Sequence, residues 1–236
     1  MAQHFSTLSF AMRMRSSVTA VLGLALALAG PAAVAFVSRY EADSAPAFVI
    51  HVLSLAGIIL IVLVVFTLAW RIEGIALRRF GFARVAWSSI AIGLALALVF
   101  VTVFAPLAYW VVAKLKIGNF DDGLSNLAKL PTWYLVVTIV IVASAEELLY
   151  RAYAIERLWA MTGSYVIAGA LSLSAFATAH VPLWGWGPAL TTLIPGAVAT
   201  VVYVWRRDVV ALILAHIATD LYGIVIAPHI GAKFPP

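Results

Sequence analysis

The stretch Ser144-Ala145-Glu146-Glu147-Leu148-Leu149-Tyr150-Arg151 sets two adjacent carboxylates and an arginine inside a long apolar run. An ionisable side chain at bilayer depth costs at least about 2.5 kcal/mol even on the lenient insertion scale, so a doublet there needs partners or a wet cavity. Neighbouring helix positions are about 100° apart, so the two glutamates face different surroundings. Glu147 and Arg151, four residues apart, are expected to pair. That pairing leaves Glu146 less neutralised, free to face a cavity and act as a base. The alternative is a structural Glu–Arg pair at a helix end.

Around this stretch, hydrophobic residues make up 64% of the 236 and charged residues 11%, with a mean hydropathy of +1.07. Such a composition lies far outside the soluble range. The expected fold is all-α: a polytopic transmembrane helix bundle with room for about seven spans of roughly 20 residues. Cysteine is absent, which excludes disulfides, thiol catalysis and Cys-ligated metal and leaves the redox compartment open. The net charge of +5 comes from basic residues beside apolar runs, so it reports topology and not nucleic-acid binding.

Polar Met1 to Arg15 precedes an apolar run from Val18 to Val37. With Gly30-Pro31 and Ala33-Val34-Ala35 it resembles a secretory signal, but its length favours a retained first span. Further spans are expected near Ala47–Trp70, Ala86–Ala113, Pro131–Ala160, Ser164–Pro182, Pro188–Trp205 and Val209–Ile226. Residues 1–129 then form an N-terminal region of three spans and an external loop (Ile117 to Leu130). Residues 130–226 form the membrane core that carries the polar groups, and 227–236 a short tail.

Arg13/Arg15, Arg71/Arg78/Arg79/Arg84, Arg151/Arg157 and Arg206/Arg207 all fall on one side, expected to be the cytoplasm, while Lys114, Lys116 and Lys129 fall on the other. All eight tryptophans sit near expected span ends, as an aromatic belt requires. Gly74 to Val85 mixes arginines with apolar residues and suits the membrane interface. There is no internal repeat and no glycine-rich phosphate loop.

Other polar groups interrupt later spans: His180, and the i, i+4 pair His216 and Asp220. If Met161-Thr162-Gly163 turns a helical hairpin, Glu146 precedes Gly163 by 17 residues and His180 follows it by 17, which places them level in the membrane. His216 and Glu147 each lie about 15 Å from a basic boundary. Three helices therefore offer polar groups at similar depth. The Asp220 carboxylate can orient the His216 imidazole; alternatively the pair only ties helices together.

Carboxylates and histidines without an activated serine or cysteine suit attack by water on a polar carbonyl such as a peptide bond. Glu146, with His180 beside it, is the candidate base. His216 is the candidate for stabilising the oxyanion or protonating the leaving amine, with Asp220 orienting it. A competing version places zinc on Glu146, His180 and His216, although no HExxH motif occurs.

At these residues the sequence resembles the CPBP family of intramembrane proteases, which includes the CAAX prenyl endopeptidases and the bacterial Abi-type proteins. The resemblance rests on EExxxR at Glu146, Glu147 and Arg151, FxxxH at Phe176 and His180, and HxxxN/D at His216 and Asp220, and it covers roughly residues 130 to 225. It implies a site inside the bilayer, a membrane-associated peptide or protein substrate, and the label of metalloprotease. By position, Glu146 is then the principal acid/base residue, His180 its partner, and His216 and Asp220 surround the oxyanion. Where the best-known prenyl endopeptidases have asparagine, Asp220 donates a hydrogen bond only if protonated. The setting expected is a multi-pass protein of a bacterial inner membrane. Different readings of the same residues are a proton relay in a transporter and a catalytically silent immunity or interaction protein.

Overall fold

A computed structural model of the chain describes residues 18–40, 46–82 and 86–230. All regular elements among them are helical. Seven helices are long and apolar enough to cross a membrane: α1 (Val18–Tyr40), α2 (Phe48–Ile72), α3 (Trp87–Leu115), α5 (Thr132–Thr162), α6 (Tyr165–Trp184), α7 (Trp186–Arg206) and α8 (Val209–His229). The protein is thus an all-α, multi-pass integral membrane protein. The expected external loop contains a short helix, α4 (Asp121–Leu127). The expected N-terminal polar segment with Arg13 and Arg15, Arg84, and residues 231–236 of the tail lie outside the described residues.

Local signals set the boundaries that matter for the site. The helix α5 stops at Gly163, whose φ of +72° is left-handed and suits a residue without Cβ. Ser164 then caps α6 by accepting from the Ile167 N–H at 3.3 Å, which completes the expected hairpin turn. Asp208 caps α8 by accepting from Ala211 N–H at 3.1 Å and also accepts from Ser89 Oγ at 2.6 Å, tying α8 to α3. Gly93 lets these two helices close up, since a Cβ there would meet the Ala211 carbonyl oxygen at 2.8 Å.

The core is built on the middle of α5. Leu149, Ala152, Tyr153, Ala154 and Ile155 are fully buried against residues of α1, α2, α6, α7 and α8. Because α1 packs on both α5 and α6, the first span belongs to the same bundle as the later ones. Outward faces carry exposed Val166, Val201 and Leu98, the surface that lipid requires. Six tryptophans (70, 87, 110, 133, 186 and 205) expose their rings near helix ends. Trp159 and Trp184 instead pack on Tyr165 and Phe120.

Two arginines assigned above to basic loops are buried in α5. Arg151 lies at mid-helix, and Arg157 pairs with Glu73 of the segment following α2; Glu73 in turn accepts from Thr19 Oγ1 of α1 at 2.8 Å. Nearby, Glu156 pairs with Arg207 and accepts from the Tyr203 hydroxyl at 3.1 Å. A low-polarity interior tolerates such charges only when they are paired, and α5 finds its partners just past the ends of α2 (Glu73) and α7 (Arg207) and on α7 itself (Tyr203).

Candidate active site

Directly after Glu146 the backbone of α5 changes character: Glu147–Ile155 is π-helical. Leu221–Ile226, which begins directly after Asp220 in α8, is π-helical as well, as are Leu68–Ile72 in α2 and Phe100–Phe104 in α3. Wide turns of this kind are frequent at functional sites. In α5 the irregular backbone is held from outside, because Ser172 Oγ of α6 donates to the Tyr150 carbonyl at 2.5 Å.

Glu147 is the hub of the charged groups. Its Oε1 accepts from Arg151 Nη1 at 3.0 Å and from His216 Nδ1 at 2.9 Å. The expected Glu147–Arg151 pair therefore exists, and it reaches across to α8. On the opposite side of the same imidazole, His216 Nε2 lies 3.7 Å from Glu146 Oε2 and 3.5 Å from Asp220 Oδ2. Side-chain exposure rises from 2–3% at Arg151 and Glu147, through 15–16% at Glu146 and His216, to 34% at Asp220. The ion pair is thus the closed floor of the site and Asp220 its open side.

Phe176 of α6 fills the space between these groups. The Arg151 guanidinium carbon sits 4.0 Å from the centre of its ring, Tyr150 meets it edge-on at 5.4 Å, and the rings of His180 and His216 lie 4.5 and 6.3 Å away. His180 ends the first α-helical segment of α6, Tyr165–Ala179, ahead of Pro182 and the turn at Gly185. His180 Nδ1 lies 2.8 Å from the Phe176 carbonyl oxygen.

The partners fix both tautomers. A carbonyl oxygen only accepts, so His180 carries hydrogen on Nδ1 and is left with Nε2 as an acceptor when neutral. Glu147, already accepting from Arg151, likewise takes the Nδ1 hydrogen of His216 and leaves Nε2 facing Glu146 and Asp220. The orienting carboxylate for His216 is therefore Glu147 and not Asp220, a correction to the i, i+4 expectation. The geometric reason is that Glu147 meets the ring at hydrogen-bond distance, whereas Asp220 approaches only the opposite nitrogen.

All six expected residues, Glu146, Glu147, Arg151, His180, His216 and Asp220, come from α5, α6 and α8 to one region. In the sequence Phe176 is only the first letter of a motif, and no local signal marks Ser172 or Tyr150, which buttress the same cluster. An apolar cavity of about 200 Å³ between α3 and α7, lined by Phe104, Leu107, Val111, Leu190 and Ile194, contains none of the site residues.

The set expected to hold zinc, Glu146, His180 and His216, does not close around one point. Among the described residues no group of three His, Cys, Asp or Glu side chains is placed to hold a metal ion. Two of the nitrogens, His180 Nδ1 and His216 Nδ1, are already engaged by protein oxygens.

Compared with known proteins, residues 128–222 match the family model described as type II CAAX prenyl endopeptidase Rce1-like. No curated protein and no solved structure matches the chain. The matched segment begins just before α5 and ends just after Asp220, so it contains every residue of the cluster around Phe176. Over this segment the chain is similar to the Rce1-like branch of the CPBP/CAAX family.

Proposed function

We propose that the protein hydrolyses a peptide bond of a membrane-associated protein or peptide, with Glu146 activating the water. Glu146 removes a proton as the water oxygen bonds to the carbonyl carbon, and the carbonyl becomes an oxyanion. When the C–N bond breaks, that proton passes to the leaving nitrogen and the carboxylate is restored. The Nε2 of His180 is available to accept from the same water and so orient it. A doubly protonated His216 offers Nε2–H to the oxyanion while Glu147 holds the other side of the ring. Asp220 lines the open side.

The observation that carries this reading is the 2.9 Å contact between Glu147 and His216, which brings α5 and α8 together and leaves Glu146 beside a fixed imidazole. Residues 130–226 form the catalytic core on this reading, and residues 1–129 pack around it. The basic ends of α2 and α7 face the cytoplasm of a bacterial inner membrane. The test is comparative proteomics of membranes holding wild-type or Glu146→Gln protein. New peptide termini that depend on Glu146 are expected, and identical terminus profiles would refute the proteolytic reading.

A further inference from the structure

Tyr150 follows Glu146 by four residues, one turn along the same side of α5. Its side chain is fully buried, and its hydroxyl has no hydrogen-bond partner. Buried phenols usually find one. The ring itself has little room to move. Phe176 meets it edge-on at 5.4 Å, and Ser172 holds its backbone carbonyl. Glu146 is the complement: its side chain is partly exposed, and His216 Nε2 lies 3.7 Å from its carboxylate, beyond hydrogen-bond distance.

The charged groups that act electrostatically on the phenol are Glu146 and Arg151. Arg151 has only donors, so it offers a hydroxyl hydrogen nothing to bind. Of these two groups, Glu146 is the one that can accept.

We propose that Tyr150 is a positioning residue of this site: its hydroxyl donates to the Glu146 carboxylate and holds that carboxylate toward the attacking water. The proposal rests on the proteolytic reading above. It differs from a packing role in what the hydroxyl does, because a phenol that only filled space would lose nothing on becoming phenylalanine. Removing a buried hydroxyl without a partner would even relieve strain. Tyr153 supplies the comparison, since it is a second buried tyrosine of α5 whose hydroxyl has no partner, packed against Phe66 and Phe80 away from the charged cluster.

The experiment uses the full chain in lipid nanodiscs as wild type, Tyr150→Phe, Tyr153→Phe and Glu146→Gln. Infrared spectroscopy assigns the Glu146 carboxylate stretch as the band lost in Glu146→Gln. That band is expected to shift in Tyr150→Phe and to stay in place in Tyr153→Phe. On a peptide whose cleavage depends on Glu146, Tyr150→Phe is expected to lower kcat at least about tenfold, the loss of one hydrogen bond to a charged group, with KM and thermal stability unchanged. An unshifted band together with wild-type kcat overturns the proposal. If Glu146→Gln cleaves as well as wild type, the proteolytic reading falls instead, and the infrared band alone decides whether the Tyr150–Glu146 bond exists.

Discussion

Replacing Arg151 by methionine removes the positive member of a pair whose side chains are 2% and 3% exposed and whose atoms meet at 3.0 Å. The Glu147 charge is then left in an apolar interior with His216 as its remaining partner. Breaking a buried pair in this way costs about 3–5 kcal/mol. The lost contact between guanidinium and the Phe176 ring, at 4.0 Å, adds up to about 2 kcal/mol where the cation is desolvated. Even the lower figure changes the folding equilibrium by roughly a hundredfold.

Equilibrium unfolding of the reconstituted protein, followed by circular dichroism, measures that loss. The double variant Glu147→Gln/Arg151→Met separates charge from packing, because glutamine keeps an oxygen acceptor for His216 Nδ1 and carries no charge. It is expected to regain about 2 kcal/mol of the loss. A penalty for Arg151→Met below about 1 kcal/mol, the range of exposed pairs, would refute the burial on which the site is built. Strict additivity of the two single substitutions would do the same.

Further outcomes follow from the same geometry. Glu146→Gln should abolish turnover and leave unfolding unchanged, since its partly exposed carboxylate anchors no helix; a large fall in stability would assign it a structural role. His216→Ala should lower turnover about a hundredfold or more, measured as the yield of Glu146-dependent termini, and near-normal yield would remove it from the reaction. Gly93→Leu should force α3 from α8 and cost about 1–3 kcal/mol by overpacking, read as a lower unfolding midpoint. Because no three donors gather around one point, a strong chelator should leave the cleavage rate unchanged; loss of activity restored by added zinc would show that the site rearranges to bind metal.

The sequence by itself determined that the chain is a bundle of membrane-crossing helices. Runs such as Ala47 to Thr67 are too long and too apolar for any other fold. It also singled out Glu146, Glu147, Arg151, His180, His216 and Asp220, because ionisable groups are rare and costly in such runs. What it left undecided is which group faces which. Spans apolar on every side carry little periodic signal for rotation about their own axes. The contact of Glu147 with a histidine 69 residues away therefore came only from tertiary packing. Local spacing favoured Asp220 as the orienting group, one turn away on the same helix. The π-helical turn after Glu146, the Phe176 ring between the helices and the Ser172 bond to the backbone together set the rotations that gave the place to Glu147. Arg157 departs from its expected place at a span end for a related reason: a charge marks a span end only when no partner waits inside, and its partner, Glu73, is brought to it by the folded bundle.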